Sequence, residues 1–229
     1  MPLPTTKREI KTSFFDLTML VYGASKIGKS TWCSKAEGAL FLATEPGLNS
    51  LEVFENPVKK WEDLLVACAD IAKGEHDFKT IIIDTIDNAY KMCSDYICRK
   101  NKIEYEGDLG YGKGFSLVNG EFQRVLNKLA FMPYGLILIS HAMEKEFDTR
   151  TGKKIRTIPT LPDKARKYVT GLVDMILYCD IELTENGSKR VMRARPHTDY
   201  DAGDRTGLLP EMIDLNFNTF IKHFEQGEK

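Results

Sequence analysis

Gly23-Ala24-Ser25-Lys26-Ile27-Gly28-Lys29-Ser30 has the spacing G-x-x-x-x-G-K-S, and the chemistry that set of residues performs is phosphate binding. The glycines allow the backbone to curl until successive N–H groups converge on phosphate oxygens. A helix entered at Thr31 adds the positive end of its dipole. Lys29 is placed to reach β and γ phosphates, and the Ser30 hydroxyl to ligate Mg²⁺. The motif follows an apolar run at 17–22 and precedes a helical pattern, the strand-loop-helix context that a chance glycine turn lacks. Gly23, Ala24, Ser25, Lys26, Ile27, Gly28, Lys29, Ser30 and Thr31 are therefore the candidate nucleotide-binding residues.

Two carboxylates stand where they would complete such a site. The run Thr80-Ile81-Ile82-Ile83-Asp84 is an apolar strand ending in an acid, and Asp84 with Ser30 forms the candidate metal pair. The segment Phe41-Leu42-Ala43-Thr44-Glu45-Pro46-Gly47 puts Glu45 at a strand tip, where it can polarise water in line with a γ phosphate. Together these residues imply a magnesium–nucleoside-triphosphate site.

The elements that must position them are legible as alternation. Short, continuous apolar runs at 17–22, 39–44, 80–84, 135–140 and 172–180 suit strands buried on both faces of a parallel sheet. Helical patterns lie between them, from about Gly28 to Glu37 and at 60–73, 86–100 and 118–131. Late in the chain, 180–183 and 190–195 flank Asn186-Gly187, which predicts a β-hairpin. The expected fold is α/β: a three-layer P-loop NTPase domain over 1–229, with a mostly parallel central sheet and a C-terminal hairpin. Residues 1–16 read as a possible N-terminal arm. The stretches 104–114, rich in glycine, and 142–163, rich in charge and threonine, read as long functional loops, the second one mobile.

Composition narrows the function class. With 229 residues, 42% of them hydrophobic, the chain encloses a substantial core. Its 32 Lys and Arg against 33 Asp and Glu exclude a uniformly basic nucleic-acid coat while leaving a local basic groove open. No apolar run is long enough to span a membrane, no signal-type apolar core is present at the N-terminus, and no membrane partner is expected. Cys33, Cys68, Cys93, Cys98 and Cys179 form no C-x-x-C pair, which suits buried thiols in a reducing cytoplasm.

Two segments suggest a second ligand. Between Glu144 and Lys167, eight cations face four carboxylates, so a chain neutral overall concentrates positive charge there. Arg150, Lys153, Lys154 and Arg156 are the candidate polyanion contacts; a solvated hairpin with no ligand is the competing reading. In Gly107-Asp108-Leu109-Gly110-Tyr111-Gly112-Lys113-Gly114-Phe115, Tyr111 and Lys113 combine stacking with charge, as unpaired bases require, although a flexible lid would look the same.

The ordered set of phosphate loop, strand-end Thr44-Glu45-Pro46-Gly47, apolar strand ending in Asp84 and then Leu136-Ile137-Leu138-Ile139-Ser140-His141 resembles the RecA-type ATPase core. It resembles more closely the short phage ATP-binding proteins described as single-strand-annealing recombinases, over roughly residues 17–220. The resemblance implies ATP and Mg²⁺ as cofactors, Glu45 as the water-activating glutamate, Asp84 as the metal-side aspartate and His141 as the sensor of the γ phosphate. RecA has glutamine at that position, so His141 is a departure, and its charge near neutral pH becomes a variable. The resemblance also implies single-stranded DNA at the loop beyond His141, and self-association into a filament or ring. Arg193 and Arg195, on one face of the return strand, would then reach the ATP of an adjacent subunit. Arg205, in a late Ala-Gly-x-Arg-like segment, is a weaker nucleotide contact, and the large C-terminal domain of bacterial RecA has no counterpart. A DNA-stimulated ATPase promoting annealing or strand exchange is the leading expectation. A small-molecule kinase and an ATP-gated binding adaptor are the alternatives.

Overall fold

A computed structural model describes residues 3, 5–7, 13–149, 152–185 and 187–225. In chain order the strands and helices are β1 (Thr18–Gly23), α1 (Lys29–Cys33), β2 (Ala39–Ala43), β3 (Phe54–Pro57), α2 (Trp61–Lys73), β4 (Thr80–Asp84), α3 (Ile86–Asn101) and α4 (Lys113–Ala130). There follow β5 (Gly135–Thr149), β6 (Gly152–Pro159), α5 (Asp163–Leu172), β7 (Met175–Thr184), β8 (Gly187–Arg193), β9 (Gly203–Asp204), β10 (Met212–Asp214) and α6 (Phe217–Glu225). The sheet runs β10-β8-β7-β1-β5-β4-β2-β3, with β6 paired to the outer half of β5 and β9 to the start of β7. From β7 to β3 every neighbour is parallel; the pairs involving β6, β8, β9 and β10 are antiparallel.

The continuous apolar runs are explained by burial on both faces. Leu20, Leu42, Ile81, Ile83 and Leu138 point into a layer built from α2, α3, α4 and α5, around Trp61, Leu64 and Phe122. Their neighbours Met19, Val21, Phe41, Ile82 and Ile139 point the other way, against Trp32 of α1 and Phe220 of α6. A strand with helices over both faces has no solvent side, so its sequence shows no polar alternation. The expected three-layer α/β architecture with a mostly parallel sheet is what the chain adopts, and the late hairpin is the β7–β8 pair, closing at Thr184 opposite Gly187.

The stretch 142–163 departs from the expectation. It is not a loop: β5 runs without interruption from the sheet interior to Thr149 and turns back as β6, in register from Ala142 opposite Pro159 to Thr149 opposite Gly152. Charge hid the strands, because few of the alternating positions are apolar and the pairing rests on backbone bonds and on partners such as Glu146 with Lys153. Helix α5 then occupies the end of the supposed loop. The stretch 104–114 is also partly ordered, with a 3-10 turn at Glu106–Leu109 and α4 beginning at Lys113, before the expected 118. Gly114 is required there, since a Cβ would collide with the Glu106 carbonyl. The short edge strands β3, β9 and β10 and the helix α6 carry no sequence signal strong enough to have been read. All five cysteines are buried and unbridged, and no helix among the described residues is long and apolar enough to cross a membrane.

Tyr22, the last side chain of β1 before the phosphate loop, ties the sheet to the base of the β5–β6 hairpin. Its hydroxyl lies 2.6 Å from the Asp201 carbonyl and 3.2 Å from that of Thr157, and accepts the Asp201 N–H at 3.0 Å. Replacing Tyr22 with Phe removes the hydroxyl from the Asp201 carbonyl and leaves the Asp201 N–H and Thr157 carbonyl only their bond to each other. The expected cost is about 1–3 kcal/mol, seen as a lower urea midpoint at unchanged slope.

Candidate functional site

The phosphate loop leaves the sheet at Gly23, where β1 and β7 approach so closely that a Cβ would lie 2.5 Å from the Cys179 carbonyl. The curl is made at Lys26 (φ 64°) and Gly28 (φ 115°), and α1 starts directly after it. Inside the curl, Lys29 is buried and its ammonium donates to the carbonyls of Gly23 and Ala24, both at 2.9 Å. Loss of solvent lowers its pKa, although nearby Cys179, Asp84 and Glu45 favour the charged form. Ser30 Oγ donates to Asp84 Oδ2 at 2.6 Å. Asp84 is itself buried, and desolvation raises its pKa in spite of the Ser30 bond and the Lys29 charge.

Glu45, at the tip beyond β2, faces the same cleft. Asn88 Nδ2 donates to its Oε2 at 2.8 Å, and His141 Nε2 stands 3.4 Å from its Oε1. His141 is at the point where β5 leaves the core; its Nδ1 lies 3.3 Å from Ser25 Oγ of the phosphate loop. Its backbone N–H donates to Asp87 Oδ2 at 2.8 Å, and Ser140 Oγ donates to Asp87 Oδ1 at 2.7 Å. Strand β5 lies between β1 and β4 in the sheet, which is why His141 sits between the loop and Asp84. The resulting cleft, about 360 Å³, is lined by Ser25, Lys29, Ser30, Glu45, Asp84 and His141 among others. A larger cavity of about 500 Å³ lies by the edge strand β3 and contains none of these residues.

The Ser30 and Asp84 oxygens, adjacent and deep, form an all-oxygen donor set that fits Mg²⁺. Asp87 and Asn88 were not read from the sequence. They stand in the first turn of α3, three and four positions after Asp84, and that offset in Asp84-Thr85-Ile86-Asp87-Asn88 was the available signal.

The predicted arginines are elsewhere. Arg193 Nε donates to Asp180 Oδ2 at 2.9 Å and its Nη2 to Glu182; Arg195 donates to the carbonyls of Gly207 (3.2 Å) and Leu209 (2.7 Å). Arg205 binds the Gly171 carbonyl beside Asp174, at the start of β7. The register puts that end about 15 Å from the loop, so Arg205 makes no contact with its own chain's cleft. The arginine that does touch the loop, Arg190, was missed: its Nη1 donates to the Ile27 carbonyl at 3.2 Å. Among the candidate polyanion contacts, Lys153 pairs with Glu146 (2.6 Å), Lys154 with Asp199 (3.1 Å) and Arg156 with Asp201 (2.6 Å). Arg150 lies outside the described residues. Tyr111 is fully exposed at φ 47°, and Lys113, also exposed, opens α4.

A buried lysine inside a curled loop, a hydroxyl–carboxylate pair and a glutamate at the next strand tip define a P-loop NTPase. A family model described as "AAA domain" matches residues 16–206, and the chain belongs to that family. It is 26% identical over 174 residues to the SPbeta prophage-derived uncharacterized protein YorG of Bacillus subtilis (strain 168), covering 73% of this chain and 50% of that protein. The chain thus spans about half the length of that relative. Among solved structures it is similar to the KaiC-like protein PH0186 of Pyrococcus horikoshii OT3, at 13% identity and TM-score 0.45 over 81% of each chain. The flagellar accessory protein FlaH of Methanocaldococcus jannaschii matches at 12% identity and TM-score 0.45, over 87% of this chain and 84% of that one.

Desolvation of Asp84 gives a directional test. A carboxyl whose folded pKa lies above its unfolded value destabilises the fold as pH rises between the two. Asp84→Asn is therefore expected to raise the Tm of the nucleotide-free protein at neutral pH and to abolish Mg²⁺-dependent tightening of nucleotide binding. Thermal melts with and without Mg²⁺–ATP read both effects. In the unaltered protein, Mg²⁺ affinity should begin to fall at a higher pH than an ordinary carboxylate would allow.

Proposed function

We propose that this AAA-type ATPase hydrolyses ATP with Mg²⁺, is stimulated by single-stranded DNA, and acts as an assembly of copies on that DNA in annealing or strand exchange. The observation that carries the reading is the continuity of β5. One strand holds His141 in the nucleotide cleft and then, with no break, forms the hairpin that carries Lys145, Lys153, Lys154 and Arg156. His141 and those cations therefore lie on one hydrogen-bonded ribbon.

Each residue has a definite part. Lys29 exchanges two loop carbonyls for phosphate oxygens, which return to it the charge stabilisation that burial removed. Ser30 and Asp84 hold Mg²⁺, which when bound neutralises charge on the phosphate oxygens. Glu45, held by Asn88, takes a proton from water as the water oxygen bonds to the γ phosphorus and the bond to the β–γ bridging oxygen breaks, releasing ADP. Asp87 fixes the backbone of His141, so the imidazole can turn from Glu45 to the γ phosphate while its strand stays in register. The Arg156–Asp201 pair is half-buried, whereas Lys153–Glu146 and Lys154–Asp199 are largely exposed, and such exposed pairs are worth only about 0–1 kcal/mol each. A polyanion can therefore take over those cations at little cost.

An ATP-gated adaptor that barely hydrolyses is the second reading. It is favoured by one observation: Arg193 and Arg195 are bound to groups of their own chain, so neither neutralises the cleft. Phosphate release measured with and without single-stranded DNA, at two salt concentrations, separates the two. The proposal expects stimulation that fades with salt, and DNA-independent, negligible release would leave the adaptor. Lys29→Ala is expected to abolish ATP binding. Glu45→Gln should keep binding and lose about 10²–10⁴-fold in hydrolysis, with ATP recovered intact from the complex.

A further inference from the structure

Four rings lie in a ladder that the nucleotide cleft does not use. Tyr22 of β1 stacks on Tyr178 of β7 with centroids 5.0 Å apart and planes 28° apart. Tyr178 packs on Tyr200 at 5.2 Å and 33°, and Tyr200 stacks on His197 at 4.7 Å and 14°. Tyr22 and Tyr200 are buried, whereas the last ring, His197, is exposed. Its orientation is nevertheless fixed, because Nδ1 accepts the Asp199 N–H at 3.2 Å.

His197 and Tyr200 border two cavities, of about 340 and 320 Å³, each within the range of small-molecule sites. The two differ in charge balance: the first is also lined by Arg156 and Lys167 against Asp201, the second by Asp180, Asp199 and Glu211 against Arg193. Lys167 is exposed on α5, one turn after exposed Lys164, and neither makes an ion pair with a described residue. An aromatic face open to solvent and flanked on one side by the unpaired Lys167, with Arg156 held nearby by Asp201, suits a flat ring attached to a phosphate chain.

We infer that His197, backed by Tyr200, is a stacking platform for one unpaired base of single-stranded DNA, whose phosphates track Arg156 and Lys167. This site rests on the DNA reading above and is separate from the Tyr111 loop and from the hairpin tip. It also has a route to the cleft, since Tyr22, at the inner end of the ladder, immediately precedes Gly23 of the phosphate loop. Stacking is indifferent to base identity, so the platform gives binding without sequence preference.

Anisotropy of a dye-labelled oligothymidine, with a non-hydrolysable ATP analogue and Mg²⁺ present, tests it. His197→Ala is expected to weaken DNA binding about tenfold while leaving affinity for the ATP analogue unchanged, and His197→Phe, which keeps a ring, to restore it. Lys167→Glu should weaken binding and flatten its salt dependence. If the unaltered chain binds the oligonucleotide and His197→Ala binds it equally well, the platform is wrong and the DNA reading stands. Equal weakening by His197→Ala and His197→Phe also overturns stacking. If the unaltered chain binds no oligonucleotide, the platform and the DNA reading fall together.

Discussion

Lys29 and Asp84 are buried within one small volume, and no ion pair joins them. Desolvation pushes each toward its neutral form, the ammonium down and the carboxyl up. Stopgap partners hold them meanwhile: two loop carbonyls for the lysine, the Ser30 hydroxyl for the aspartate. Such an arrangement is costly to the empty protein and becomes favourable only when a phosphate and a cation bring the matching charges. The rest of the fold must keep these groups from escaping to water. Strands covered on both faces do so, because their tips cannot shift without disturbing two packed layers at once.

Strand β5 is the element through which that cost reaches the surface. Its first half is core, its midpoint is His141, and its second half is a charged ribbon. Asp87 grips it at the midpoint, through Ser140 and the His141 backbone, while the Tyr22 hydroxyl holds the return strand at Thr157. The hairpin is thus anchored to α3 on one side and to β1 on the other, both of which bound the nucleotide cleft. On the proposed reading, a ligand on the ribbon would couple to the nucleotide only through a second arrangement of these anchor points in which each makes different contacts.

What was legible in the sequence follows from how local each cause is. The phosphate loop, Asp84, Glu45 and the buried strands announce themselves, since glycine spacing and continuous apolar runs are local properties. Asp87, Asn88 and Arg190 were not legible, because their roles depend on which strands lie side by side. The β5–β6 ribbon was misjudged as a loop for a related reason. Residues such as Lys145, Arg156 and Lys154 alternate with few apolar partners, and what stabilises the strands is pairing across the turn together with Asp163 of the same stretch and two carboxylates from a distant segment, Asp199 and Asp201. Composition counted four surplus cations there, and the fold brings acids to meet them.

The arginines show how far a period-two argument reaches. Spacing puts Arg193 and Arg195 on one face of the return strand, but β8 ends at Arg193, whose face carries Tyr178, Asp180 and Glu182, and Arg195 lies beyond the strand on the Gly207 and Leu209 carbonyls. Arg190, an odd number of positions away, falls on the other face and meets the loop at Ile27, where its guanidinium braces backbone and stands outside the cleft lining. Among the described residues, the lysines and arginines lining the cleft are therefore Lys29, inside the loop, and Lys26. Charge that develops on a departing γ phosphoryl group exceeds what one lysine and one metal ion neutralise, and an added arginine is worth orders of magnitude in rate. In the proposed assembly on DNA, a neighbour's side chain would supply the cation that the cleft's own lining lacks.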